Sequence, residues 1–197
     1  MDKSLSKMTK LIVLLLFLSF AVYADDIFLG IPGYGGNGCP AGSASVTLSP
    51  DAKSLSIIFD EFITETSRRK SIDRKSCNLA IPVHVPQGLS VSVIDIDYRG
   101  FVSLPLRSFA RIKSEYFFAG SKGPILKKVF RGEVEKDFLL SASLGMSSLV
   151  WSACGKDVNL RVNTSLFLRS KKQALAALDS VDMDAGLVYH LKWRRCH

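Results

Sequence analysis

Asp95 and Asp97 stand two residues apart in a segment where apolar and polar side chains alternate, so both carboxylates face one side of a strand. Two carboxylates on one face can hold calcium or divide acid and base work between them. A turn at Gln87-Gly88 that folds the preceding strand back would set them opposite Ala80 and Asn78. With His84 before the turn and Arg99 beyond Asp97, the candidate surface site is His84, Asp95, Asp97 and Arg99. The plainer reading is that Asp97 pairs with Arg99 or caps backbone donors at a bulge. A second acidic group, Asp179, Asp182 and Asp184, reads as a turn, because Gly186 replaces an oxygen ligand and no glutamate closes a calcium loop.

Other chemistries fail on spacing. His84 and His190 are out of phase with their apolar neighbours and are expected to point away from the core; neither begins a zinc pattern. Gly33, Gly35 and Gly38 fit G-x-G-x-x-G but run into Cys39-Pro40 instead of opening a helix, which leaves a loose glycine-rich arm. There is no G-x-S-x-G elbow, so no catalytic residue, metal or cofactor is expected.

The net charge is +8. Cations cluster at Arg68, Arg69, Lys70, Arg74 and Lys75, with others at Lys127, Lys128, Arg131, Lys171, Lys172, Arg194 and Arg195. They can solubilise the surface, or they can attract an anionic glycan, a lipid headgroup or another envelope component. Nucleic acid is not expected, since no binding module is visible and the chain reads as exported.

Export follows from the first residues. Lys3, Lys7 and Lys10 precede an apolar run from Leu11 to Leu18 and a small-residue end at Val22-Tyr23-Ala24, the layout of a signal peptide over residues 1–24. The run is shorter than the ~20 residues of a membrane span, which leaves a retained N-terminal anchor as the alternative, and no later stretch is long enough. Removing three lysines and Asp2 still leaves a net +6. Cys39, Cys77, Cys154 and Cys196 would then meet an oxidising compartment. Four cysteines allow three pairings; sequential pairing is expected because each such pair brackets a local block of strands.

Stepwise alternation predicts the elements. Ala44, Val46 and Leu48 lead through Pro50-Asp51 to Leu55, Ile57 and Phe59, which reads as a hairpin. Leu79 to Val85 precede the Pro86-Gln87-Gly88 turn, after which Leu89, Val91 and Val93 give way to Ile94, Ile96 and Tyr98, a parity change that predicts a β-bulge. Val158 to Leu168 and Leu187 to Trp193 are regular strands; Phe101–Leu104, Ile112–Phe118, Leu126–Val134 and Leu149–Ala153 are weaker ones. Lys171 to Leu178 could form one or two helical turns. Nine or ten short strands predict an all-β fold, an antiparallel two-sheet β-sandwich, with a jelly roll or flattened barrel as the alternative. The arm would cover residues 25–38 and a single domain residues 39–197.

Several blocks together resemble one family, the exported proteins grouped as domain of unknown function 4360, found in bacteria and fungi. They are Gly38-Cys39-Pro40-Ala41-Gly42-Ser43 with Ser49-Pro50-Asp51, Arg74-Lys75-Ser76-Cys77-Asn78-Leu79, His84-Val85-Pro86-Gln87-Gly88 and Asp97-Tyr98-Arg99-Gly100. Tyr116-Phe117-Phe118-Ala119-Gly120, Trp151-Ser152-Ala153-Cys154-Gly155 and Tyr189-His190-Leu191-Lys192-Trp193-Arg194-Arg195-Cys196 continue the series. The resemblance implies export and disulfides and transfers no catalytic residue. The expected function is a non-catalytic exported binding or envelope-associated protein; the alternatives are an extracellular hydrolase acting through Asp95 and Asp97, or a secreted inhibitor or effector. Asn163-Thr164-Ser165 is a glycosylation sequon of consequence only in a eukaryote.

Overall fold

A computed structural model describes residues 27–143, 149–178 and 187–196. The expected signal peptide and the Asp179–Asp184 turn lie outside the described residues.

Two antiparallel sheets face each other. One has the order β1 (Gly33–Gly35), β5 (Ile72–Val83), β10 (Val158–Arg169), β7 (Phe109–Phe118), β8 (Ile125–Arg131). The other runs β2 (Ala44–Leu48), β3 (Ser54–Phe59), β12 (Leu187–Arg195), β6 (Leu89–Leu104), β11 (Ala174–Leu178), β4 (Ile63–Thr66), with β9 (Val134–Ser143) on the free side of β6. The sheets do not close into a barrel, so the sandwich expectation holds. Alternation accounts for it: Leu79, Ile81 and Val83 on β5 and Leu160, Val162, Leu166 and Leu168 on β10 are buried at every second or fourth position and meet Leu55, Ile57, Ile96 and Leu187 of the facing sheet in one core.

The bulge falls where the parity change placed it. Leu191 pairs with Val93 and His190 with Asp95, leaving Ile94 as the extra residue. Its effect is to keep one face apolar: Val91 and Val93 before it, and Ile96 and Tyr98 after it, are all buried.

Several expectations change. The turn at Pro86-Gln87-Gly88 forms, with Leu89 N–H donating to the Pro86 carbonyl at 3.1 Å, but it carries the chain from one sheet to the other. Asp95 therefore faces His190 and Ser143, and Asp97 faces Val188 and Ser141; neither faces Ala80 or Asn78. Turn residues encode a reversal, whereas the partner of each strand is set by which apolar faces must meet. The glycine-rich arm is tied down: Gly33–Gly35 pairs with Asn78–Ala80, and Leu29 bridges Val83. Residues 174–178 are strand β11, because Ala174, Ala176 and Leu178 are buried between β6 and β4. The Leu126–Val134 segment splits at Gly132 into β8 and β9, which lie in different sheets, while Phe101–Leu104 is the end of a 16-residue β6. Around Trp151 the bridge found among the described residues is an isolated one, to Ser92. β4 had no forecast.

The disulfides join Cys39 to Cys77 and Cys154 to Cys196, the sequential pairing, with Cα–Cα distances of 5.4 and 6.1 Å. The first anchors the N-terminal arm on β5; the second ties the loop after Trp151 to the end of β12.

Gly100 sits mid-strand on the core side of β6, opposite Phe138 on one edge and Leu178 on the other. A Cβ there would overlap the Ala177 carbonyl oxygen and the Phe138 ring. Gly100→Ala should destabilise the fold by about 1–3 kcal/mol, the usual cost of overpacking, read as a lower midpoint in urea with an unchanged slope.

Candidate functional site

The four forecast residues do not form one group. His84 follows β5 and belongs to the edge of the five-stranded sheet. Its Nδ1 meets Asp157 Oδ1 at 2.7 Å, and its ring stacks on Phe28 with centroids 4.6 Å apart. Asp95, Asp97 and Arg99 share the outer face of the other sheet, where His190 Nε2 lies 3.0 Å from Asp97 Oδ2. Ser141 donates a hydrogen bond to Asp97 from the other side, and Arg99 adds its positive charge.

The order of these groups decides their chemistry. A nucleophilic hydroxyl needs a base between it and the carboxylate. Here the carboxylate is in the middle, so the Ser141 hydroxyl donates its hydrogen bond to Asp97, and His190 is placed to pair with the carboxylate and not to serve as the base of Ser141. Hydrogen bonds from Ser141 and His190 hold the Asp97 carboxyl below its ordinary 3.8. A lowered pKa adds stability above the unfolded value and loses it as pH falls through the folded one. Asp97→Asn should therefore cost less than about 1 kcal/mol near neutrality, with the difference from the parent shrinking as the pH falls below the ordinary 3.8 and through the lowered folded-state value, in acid titrations followed by circular dichroism.

The outer face of the five-stranded sheet is of another kind. Because β5, β10, β7 and β8 are in register, their polar positions form rows across it. The first row is Ile72, Arg169, Phe109, Arg131; the second is Arg74, Phe167, Arg111, Val129. Ser76, Ser165, Lys113, Lys127 and then Asn78, Asn163, Glu115, Ile125 follow, with Arg161 beside Phe117 beyond them. Seven cations thus share this face with one carboxylate, Glu115. Arg111 lies over the Phe167 ring, 5.3 Å from its centroid, and Phe109 packs against Phe167 at 5.6 Å. Strand rise and spacing put neighbouring charges about 5–7 Å apart.

At the Arg169 end the face runs into an open cleft of about 710 Å³ lined by Arg68, Arg69, Lys171, Lys172, Ser67 and Gln173. Ser170 N–H donates to the Ser71 carbonyl, which holds the two basic turns together although a hundred residues separate them in the chain. Lys70 is drawn off to Asp73 at 2.7 Å, Arg194 to the Trp151 ring at 4.0 Å, and Lys75 to the Asn37 carbonyl. Of the clusters noted in the sequence, Arg68, Arg69, Arg74, Lys127, Arg131, Lys171 and Lys172 take part in this surface. Arg111, Lys113, Arg161 and Arg169 were missed. Each occupies a polar position in an alternating strand, so the outward direction was legible, but the side-by-side placement of four distant strands was not.

An uncharacterised secreted protein of Arthroderma benhamiae (strain ATCC MYA-4681 / CBS 112371) is 31% identical over 169 residues, covering 83% of this chain and 69% of that one. With the two disulfides, this relative places the protein outside the cytosol. Among solved structures, TmCBM61 in complex with β-1,4-galactotriose aligns over 84% of this chain and 89% of its own, at 8% identity and a TM-score of 0.27. The GH31 α-xylosidase from Xanthomonas citri aligns over 86% of this chain and 19% of its own, at 10% identity and a TM-score of 0.19. Both scores are too low to carry any weight. The family model for the domain of unknown function DUF4360 matches residues 26–196, nearly the whole described chain, and the protein belongs to that family.

Proposed function

We propose that this exported protein is a non-catalytic binding protein whose five-stranded sheet holds an acidic polysaccharide along its outer face. The observation that carries the reading is the imbalance of seven cations to one carboxylate on that face. A linear polyanion can follow the rows of charge, while Ser76, Ser165, Asn78 and Asn163 offer hydrogen bonds to hydroxyl groups. The half-buried rings of Phe109 and Phe167 lie within the face and give sugar rings an apolar surface. A lipid headgroup layer would supply anions as well, but it calls for a clustered apolar anchor, whereas the exposed Ile72 and Ile125 stand at opposite corners of the face and the aromatic rings between them are half-buried.

The test is retention on immobilised alginate, with dextran as the neutral control and phosphatidylglycerol vesicles as the lipid source. Retention on alginate at low ionic strength, release as salt approaches about 0.5 M and no retention on dextran are expected, because screening shortens the reach of exposed charges. Passage through alginate at low salt would refute the proposal, as would stronger retention on the vesicles.

A further inference from the structure

Two connections cross from one sheet to the other side by side at one end of the sandwich. Residues 67–71 carry the chain from β4 to β5, and residues 170–173 carry it from β10 to β11. Thr66 pairs with Ala174 in one sheet and Ile72 with Arg169 in the other, so the topology makes the crossovers neighbours. Hydroxyl groups fix their contact. Thr66 Oγ1 donates to the Lys172 carbonyl at 3.0 Å, and Ser170 Oγ accepts from Ser108 Oγ at 2.7 Å and from the Lys172 N–H at 3.0 Å. Thr66, Ser108 and Ser170 are all buried, so the backbone beneath the cations is held in place. Ser67 and Lys70 exchange backbone hydrogen bonds at 2.9 and 3.3 Å, which makes residues 67–70 a tight turn with Arg68 and Arg69 at its tip.

A connection of this kind asks only for polar residues, of either sign. The turn between β2 and β3 shows the ordinary solution, with Asp51 and Lys53 3.8 Å apart. Here the nine residues of the two crossovers hold five cations and no carboxylate. Asp73 neutralises Lys70 at 2.7 Å and also accepts from the Glu65 and Arg74 N–H groups. Arg68, Arg69, Lys171 and Lys172 are left to line one open cleft of about 710 Å³ with Ser67 and Gln173. Like charges held on adjacent turns repel, and an anion between them relieves that repulsion.

We propose that this cleft binds a small soluble ligand carrying a diphosphate group, gripped by the guanidinium groups of Arg68 and Arg69 from one crossover and the ammonium groups of Lys171 and Lys172 from the other. The sheet face presents its charges in rows, as a linear polyanion does; these four surround one opening. A carboxylate offers two oxygens and one charge, whereas two linked phosphates bring more of both to a single point, and arginine forks bind phosphate oxygens in pairs. Ser67 Oγ accepts from the Arg69 and Lys70 N–H groups, both at 3.3 Å, which leaves its own proton to donate to the anion. No apolar residue lines the cleft, so a lipid headgroup would find no anchor beside it. The site does not depend on the polysaccharide reading.

The probes are pyrophosphate, orthophosphate and citrate, titrated by calorimetry into the disulfide-bonded protein at low ionic strength without divalent metal, and phosphatidylcholine vesicles containing phosphatidylinositol bisphosphate. Saturable binding of pyrophosphate in the micromolar range is expected, with orthophosphate and citrate weaker by about tenfold or more, because neither sets two phosphates across the turns. Arg69→Gln and Lys172→Gln should each weaken pyrophosphate by about fivefold or more, since each removes part of one side of the grip. Both side chains are exposed, so neither change threatens the fold. Arg111→Gln with Lys113→Gln on the sheet face removes two charges and should leave pyrophosphate affinity within about twofold, because screening confines exposed charges to near neighbours. Any one of five results would overturn the assignment: no saturation by pyrophosphate at about 5 mM, citrate binding as tightly, a loss confined to one crossover, an equal loss from the face variant, or capture of the vesicles without binding of free pyrophosphate.

Discussion

A variant carrying Arg74→Glu, Arg111→Glu, Lys113→Glu and Arg131→Glu should lose at least tenfold in affinity for alginate at low salt while melting within a few degrees of the parent. All four side chains are exposed on the outer face of the five-stranded sheet, and they occupy three adjacent rows. Reversing them leaves three cations against five carboxylates there, so the attraction becomes a repulsion. Each exposed charge contributes little to folding, which is why the effect should appear in binding and not in stability. A tenfold loss corresponds to about 1.4 kcal/mol, modest for eight units of charge, and the loss should shrink as salt rises. Retention unchanged by the four reversals would place the anion site elsewhere. The Arg68, Arg69, Lys171 and Lys172 cleft is the next surface to alter.

Removing the Cys39–Cys77 bridge as Cys39→Ala with Cys77→Ala should cost a large part of the stability of the fold. A closed loop of 38 residues confers about 4 kcal/mol in the chain-entropy account, with 2–5 kcal/mol the usual range on removal. For a chain of this size that lowers the melting temperature by on the order of 10 °C. Both sulfurs are fully buried and the bridge holds the arm that supplies β1, so local packing adds to the loop effect. The Cys154–Cys196 bridge closes a similar loop of 42 residues, but Cys154 is exposed. Graded dithiothreitol should therefore reduce Cys154–Cys196 first, since exposed disulfides are the labile ones. Alkylation and peptide mapping would read the order; prior loss of Cys39–Cys77 would contradict it.

The inward direction of Leu79, Ile81, Leu160, Val162 and Tyr189 follows from period-two alternation alone, because a strand has only two faces and one must be buried. So does the bulge at Ile94, since a change of parity within a strand that keeps its apolar face requires an extra residue. These are local facts, decided by neighbours a few residues away. Which strand lies beside which is a long-range fact, and alternation is silent about it. The hairpin reading of Pro86-Gln87-Gly88 failed for this reason: the turn is present, but burying both β5 and β6 places them in opposing sheets. Asp97 consequently meets His190 and Ser141, and His84 meets Asp157. The basic face likewise exists only once β5, β10, β7 and β8 are aligned. A row of charge spans strands far apart in the chain, so its members share no motif; only the register of the folded sheets puts them together.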